Sequence, residues 1–306
     1  MTAKEHHHNH DLAAGRKVTL AGMGINAALI ALKIIGGIYG RSKALLADAI
    51  HSTSDFLSDV LVLVGLHFFH KEEDRDHPYG HGKIETLATI GVGILLLLAA
   101  IRIGVDAALN IHRGEIVAPR RYAIVIAVIA IVTKEILYRL TVRIGKRLKS
   151  EIVIANAWHH RSDAWSSVVT LVGVTCAAYV PSLRVLDSYA ALLVSFFIVK
   201  VSLEILLSAI KKIIDTSPSA EFLGRVRTII RQVPGVKECH DLTGRYYADK
   251  IRMEIHIEVD PELTVRQAHE IADSAVTRVK EEFEEISSVL VHIDPFSDTD
   301  NGEVRS

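Results

Sequence analysis

Residues 44–69, ALLADAIHSTSDFLSDVLVLVGLHFF, decide how this chain is read. The stretch is long enough to cross a bilayer, which takes roughly 20 residues, yet it carries Asp48, His51, Asp55 and Asp59. At about 100° per residue these positions fall on one narrow stripe of a helix. An ionisable group in lipid costs about 2.5–3.5 kcal/mol on insertion scales, so each one needs a partner or a task. Residues 152–182 repeat the design with Asn156, His159, Asp163, Ser167 and Thr170. Neither stripe contains a basic residue, and Arg161 lies off the second one.

Working outward, apolar segments occupy about 18–40, 44–69, 84–110, 122–142, 152–182 and 186–210. The chain has 306 residues, 49% of them hydrophobic. Its charge is split: residues 1–215 hold 24 Lys+Arg against 18 Asp+Glu, and residues 216–306 hold 11 against 18. A basic apolar part followed by an acidic polar part predicts a membrane protein with a water-exposed domain. No basic stripe with interleaved aromatics is present, so nucleic acid is not expected as a partner. Cys176 and Cys239 form neither a Cys-x-x-Cys pair nor a disulfide framework. Lys and Arg are more numerous on the side holding residues 16–17, 71–83, 139–149 and 211–212, which predicts that both termini are cytoplasmic.

Beyond Asp215 the pattern is that of a small α+β layer. Residues 219–233 have helical spacing, 250–259 alternate like a half-buried strand, 264–284 form an amphipathic helix opened by Thr264, and 287–295 form a last strand. The expected domains are a tail at 1–16, a transmembrane domain at 17–215 and a cytoplasmic domain at 216–306. In the tail, His6, His7, His8 and His10 are read either as a solvated stretch or as a weak metal trap.

Some intramembrane charges have simple local readings. Arg102 with Asp106 and Lys200 with Glu204 stand four apart and can neutralise each other. Lys134 adjoins Glu135 near a cytoplasmic end, and Lys33 is expected to snorkel. The stripes are different, because each contains His-x-x-x-Asp: His51 with Asp55, and His159 with Asp163. Two such pairs on facing helices supply two imidazoles and two carboxylates, a tetrahedral set of the kind Zn²⁺ prefers. On this reading the ion itself brings the missing positive charge. Hydrogen bonding between the imidazoles and carboxylates, with nothing bound, is the competing reading.

Two further clusters are candidates. Asp74, His77 and His81 lie in a Gly-containing loop, where chelation competes with simple solvation. His240, His256, His269 and His292 with Asp294 are distributed over different elements of the last domain. Convergent ligands and scattered surface histidines both fit that spacing.

The runs ALLADAIHSTSD, DHPYGHGKIET and HHRSD, and QAH followed by VHIDP, resemble the cation diffusion facilitator family, in its bacterial YiiP-like branch. The resemblance covers about residues 17–296. It implies six transmembrane helices, a metallochaperone-like (ferredoxin-like) cytoplasmic domain, a homodimer in the bacterial inner membrane, and Zn²⁺ export in exchange for protons. It places a transport site on His51, Asp55, His159 and Asp163, and a loop site on Asp74, His77 and His81. It also implies a binuclear cytoplasmic site on His240, His256, His269, His292 and Asp294, with Asp294 bridging, and a dimer-locking charge pair of Lys83 with Asp215. The branch usually carries Asp where this chain has His51, and the resulting two-His, two-Asp set implies Zn²⁺ and counts against Mn²⁺, Cd²⁺ and Fe²⁺; the resemblance as a whole leaves Cd²⁺, Co²⁺, Ni²⁺ or Fe²⁺ as alternative substrates.

Metal and protons compete for imidazole nitrogen, so an exchanger is chemically natural here. An intramembrane metalloenzyme would need an open zinc position and a base, and the chain has no His-Glu-x-x-His. A membrane-anchored metal sensor accounts for the soluble histidines but not for ligands in the middle of two apolar helices.

Overall fold

The computed structural model describes residues 3–64, 74–148, 151–247 and 250–297. Within these ranges the side chains of 3–20, 58–59, 62–64, 145, 148, 151–153, 155–156 and 159–160 are not described. The described residues fall into two compact units, one within 1–66 and 91–206, the other within 67–90 and 207–306.

Six long helices come first: α1 (Ala3–Tyr39), α2 (Lys43–Val64), α3 (Gly82–Arg113), α4 (Arg121–Leu148), α5 (Glu151–Tyr179) and α6 (Leu186–Ile213). Helix α1 continues back through the segment read as a tail, which contains no proline. Among the described residues, three stretches are both long and apolar enough to cross a membrane: Ala21–Tyr39, Gly82–Arg113 and Pro181–Ile213. Helices α2, α4 and α5 have the length, but ionisable and other polar residues interrupt their apolar runs.

In the first unit α1 packs on α2 and α4, and α5 packs on α2 and α4. One apolar cluster joins α2, α3 and α6 through Ala47, Ala100, Ile103, Ala107, Ala191, Val194 and Ile198. Another joins α2, α4, α5 and α6 through Ala44, Leu45, Ala123, Ala127, Val174 and Ala190. The buried positions are mostly Ala, while Leu95, Leu98, Val125, Val132 and Phe196 point outward. This inside-out pattern belongs in lipid, where helices associate by close packing of small residues and large apolar side chains face the acyl chains.

Asp187, at the start of α6, caps α2 from outside. Its carboxylate accepts from Ser42 Oγ and from the Lys43 backbone N–H, both at 2.7 Å. That satisfies one of the orphan donors every helix start exposes.

The second unit contains α7 (Ala220–Arg231), β1 (Glu238–Tyr247), β2 (Lys250–Val259), α8 (Val265–Glu282) and β3 (Ile286–Pro295). The order is helix, strand, strand, helix, strand. Thr264 opens α8, as the sequence pattern anticipates, and forms a capping box with Gln267, while Ser219 caps α7. The sheet order is β1-β2-β3, with β1 antiparallel and β3 parallel to the central β2. Alternate residues of β2, from Ile251 to Val259, are buried against Val226 and Ile230 of α7 and Ala272 and Val279 of α8. His256 and Glu258 therefore occupy the open face of the sheet.

Candidate metal centres

The two polar stripes meet because α2 packs against α5. Ligand atoms of His51, Asp55 and Asp163 all lie within 4.8 Å of one another. His51 Nε2 is 4.0 Å from Asp55 Oδ2, one helical turn away on the same face. The His159 side chain lies outside the described residues, as do those of Asp59 and Asn156 on the same stripes. Arg161 is turned away: it donates to the Tyr138 hydroxyl at 3.0 Å and covers that ring.

The positive charge missing from the stripes comes from neighbouring helices. Lys33 does not snorkel: it is fully buried, with Nζ 2.8 Å from Asp48 Oδ2 and both side chains 1% exposed. Its remaining protons reach Ser52 Oγ at 3.0 Å and Ser167 Oγ at 3.1 Å, and Ser167 donates in turn to Asp48. Lys134 is not held by its neighbour Glu135, which pairs with Arg139 one turn on at 2.7 Å. Instead Lys134 Nζ lies 2.6 Å from Asp163 Oδ2, almost fully buried. In a low-dielectric interior an ammonium settles where a carboxylate faces it, and these carboxylates sit on other helices. Spacing within one helix could not find either pair.

In the loop before α3, Asp74, His77 and His81 also converge within 4.8 Å. Asp74 accepts from the His77 backbone N–H at 2.8 Å and lies 3.4 Å from His81 Nε2. The backbone bond from His77, with the His77 side chain adding to it, holds the Asp74 carboxyl down at about 2. It is therefore anionic at any physiological pH. His81 is mostly enclosed, and its Nδ1 has no hydrogen-bond partner among the described residues. A buried imidazole nitrogen left without a partner suits a metal ion. Tyr247, at the end of β1, accepts from the Gly82 N–H at 3.0 Å through its hydroxyl. Arg252 on β2 stacks over the Tyr247 ring and donates to the Tyr79 carbonyl at 2.9 Å. Nothing in the loop's own sequence pointed to this clamp.

The third cluster is a cross-strand row. His240, His256 and His292 are register partners on β1, β2 and β3, so the sheet itself aligns the three rings. Asp294 lies among them, 2.9 Å from His256 Nδ1, 3.3 Å from His292 Nε2 and 3.6 Å from His240 Nε2. A β-bulge follows His240, where Asp241 adopts φ 41°, a left-handed conformation that Asp tolerates. Glu258 is a further carboxylate at the cluster, 3.3 Å from His240 Nε2. Alternation along β2 would have found it, since it shares the open face with His256. His269 does not join this cluster. It sits on α8 beside Ala268, the residue that faces the core, and is therefore rotated into solvent. There it is 70% exposed and 3.6 Å from Asp273. Lys83 and Asp215 do meet, at 3.4 Å, both about half exposed.

Residues 19–214 match the family model of the cation efflux transmembrane domain, and residues 218–296 that of the cation efflux protein cytoplasmic domain. The chain is 32% identical over 286 residues to manganese efflux system protein MneP of Bacillus subtilis (strain 168), covering 92% of this chain and 96% of that protein. It is 36% identical over 296 residues to metal tolerance protein C1 of Arabidopsis thaliana, covering 92% of this chain and 62% of that one. To magnetosome protein MamB of Magnetospira sp. (strain QH-2) it is 30% identical over 271 residues, covering 89% of this chain and 92% of the other. The chain thus belongs to the cation efflux, or cation diffusion facilitator, family of membrane-embedded metal transporters, and it is a transporter and not an enzyme.

Proposed function

We propose that this protein exports Zn²⁺ from the cytoplasm in exchange for protons, by alternating access around His51, Asp55, His159 and Asp163. The observation that carries the reading is the convergence of His51, Asp55 and Asp163 inside the first unit, where ligand atoms from two helices lie within 4.8 Å of one another. With His159 added by its His-x-x-x-Asp spacing, the donor set is two nitrogens and two oxygens, which suits Zn²⁺. Four protein ligands leave no position for a metal-bound water, as cargo handling requires and hydrolysis does not. Proton coupling follows from the imidazoles, which bind metal only when neutral. The relatives include a manganese exporter, so the metal preference rests on the donor set: imidazole nitrogen favours Zn²⁺, whereas Mn²⁺ favours oxygen.

The same reading assigns the loop residues Asp74, His77 and His81 to an accessory site. The cytoplasmic row, with Asp294 as the bridging carboxylate, becomes a sensing site that stabilises a homodimer locked near the membrane by Lys83 and Asp215. Six helices span a bacterial inner membrane with both termini cytoplasmic, across domains at 17–215 and 216–306. The test is Zn²⁺ and Mn²⁺ flux in proteoliposomes under an imposed pH gradient, comparing wild type with Asp163→Ala. Gradient-driven Zn²⁺ flux that disappears in the variant supports the exchanger. Flux indifferent to the gradient, or Mn²⁺ flux equal to that of Zn²⁺, overturns the coupling or the preference respectively.

A further inference from the structure

We propose that Lys134 is a tethered counter-cation of the transport site, which a divalent substrate displaces from Asp163. The inference rests on the transport-site reading above and adds a residue to it. Its basis is the ion pair between Lys134 Nζ on α4 and Asp163 Oδ2 on α5, at 2.6 Å, with the side chains 3% and 6% exposed. Asp163 also belongs to the triangle with His51 and Asp55.

Charge counting shows what the lysine does. Asp48 is neutralised by Lys33 and its two serine partners, so it drops out of the balance. With Lys134 in place, the Asp163 carboxylate already faces one buried positive charge. A divalent ion bound at that carboxylate adds two more beside it unless Lys134 withdraws. In a poorly screened interior the state that keeps both cations on one carboxylate is strongly disfavoured. Ion and ammonium therefore alternate on Asp163.

Two consequences follow. A tethered ammonium has a high effective concentration at its carboxylate, so a monovalent ion, which brings no more charge than the lysine, cannot compete with it. Selection for a divalent ion is thereby built in before coordination geometry acts. In addition, Asp163 keeps a cationic partner while the metal-free carrier changes conformation.

The experiment is calorimetric titration of the full-length, detergent-solubilised protein with Zn²⁺ at fixed pH, for wild type, Asp163→Ala, Lys134→Gln and Lys134→Arg. The part of the wild-type isotherm lost in Asp163→Ala defines the transport-site component. Lys134→Gln is expected to tighten that component by about tenfold or more, since binding no longer works against a resident cation. Lys134→Arg, which keeps the charge, is expected to stay within about threefold of wild type on the same argument. An unchanged or weakened component in Lys134→Gln overturns the proposal while leaving the site intact. Absence of any Asp163-dependent component overturns the site reading itself, and the lysine proposal with it. If Lys134→Gln does not fold, amine labelling of Lys134 in wild-type protein, read by mass spectrometry, decides instead. Labelling should rise on Zn²⁺ saturation, and labelling that stays level or falls refutes displacement.

Discussion

Replacing Lys33 by Met should destabilise the bundle far more than a substitution at a lipid-facing position. The ammonium lies 2.8 Å from Asp48 with both side chains 1% exposed, and it also holds Ser52 and Ser167. Removing one member of such a pair strands a buried charge, at a cost of about 3–5 kcal/mol. Ser167 Oγ still donates to Asp48 at 2.9 Å, which offsets about 1.5–3 kcal/mol of what the carboxylate would otherwise lose and places the expected cost near the lower bound. Asp48→Leu should cost a similar amount for the complementary reason. The double variant Lys33→Met with Asp48→Leu removes both charges, and each serine hydroxyl can turn to a backbone carbonyl one turn back, so it should cost less than either single change. The assay is reversible SDS titration in mixed micelles followed by far-ultraviolet circular dichroism, analysed as a double-mutant cycle. A single-variant cost under about 1 kcal/mol, or a double variant equal to the sum of the singles, would refute a tightly coupled buried pair. Neither change should tighten Zn²⁺ binding, in contrast to Lys134→Gln, because Asp48 is kept out of the site by its own partners.

Further outcomes can be checked independently. The Asp74 carboxyl sits at about 2 in the folded protein against an ordinary 3.8, so its contribution to loop order is complete above pH 4 and fades as the pH falls toward 2. The amide resonance of His77, which donates to this carboxylate, should shift on acidification with a midpoint at about pH 2, and an amide that does not move there would contradict the bond. Burial pushes the Cys239 thiol up to about 11 from 9.0, so the stability this adds is present below pH 9 and lost between pH 9 and 11. Iodoacetamide at pH 8.5 should accordingly leave Cys239 unmodified until the chain is unfolded, and native-state labelling would contradict its burial. Asp294→Ala should lower the calorimetric Zn²⁺ stoichiometry of the full chain more than His269→Ala, since three imidazoles reach Asp294 and none reaches His269. Tyr247→Phe removes the acceptor for the Gly82 amide, so hydrogen exchange at Gly82 should speed up by about tenfold, corresponding to about 1.4 kcal/mol of lost local protection.

Sequence alone determined what depends on chain-local periodicity. Stripes at helical spacing placed His51 and Asp55 on one face of α2 and Asp163 on one face of α5, and alternation along residues 250–259 set the buried face of β2. Thr264 marked the start of α8, and the acidic turn with its histidines marked the loop cluster. These signals are legible because helix and strand geometry repeat every few residues, so side chains near in sequence are near in space. Only the tertiary structure decided which charges pair across helices. Lys33 and Lys134 read as incidental charges on their own segments, and both turned out to face carboxylates 15 and 29 residues away. It also decided that His269 faces solvent while Glu258 joins the histidine row, because packing of α8 and register within the sheet choose the face each residue presents. A buried charge takes whichever partner the fold brings within reach, and that choice is made by helix packing, which sequence spacing does not encode.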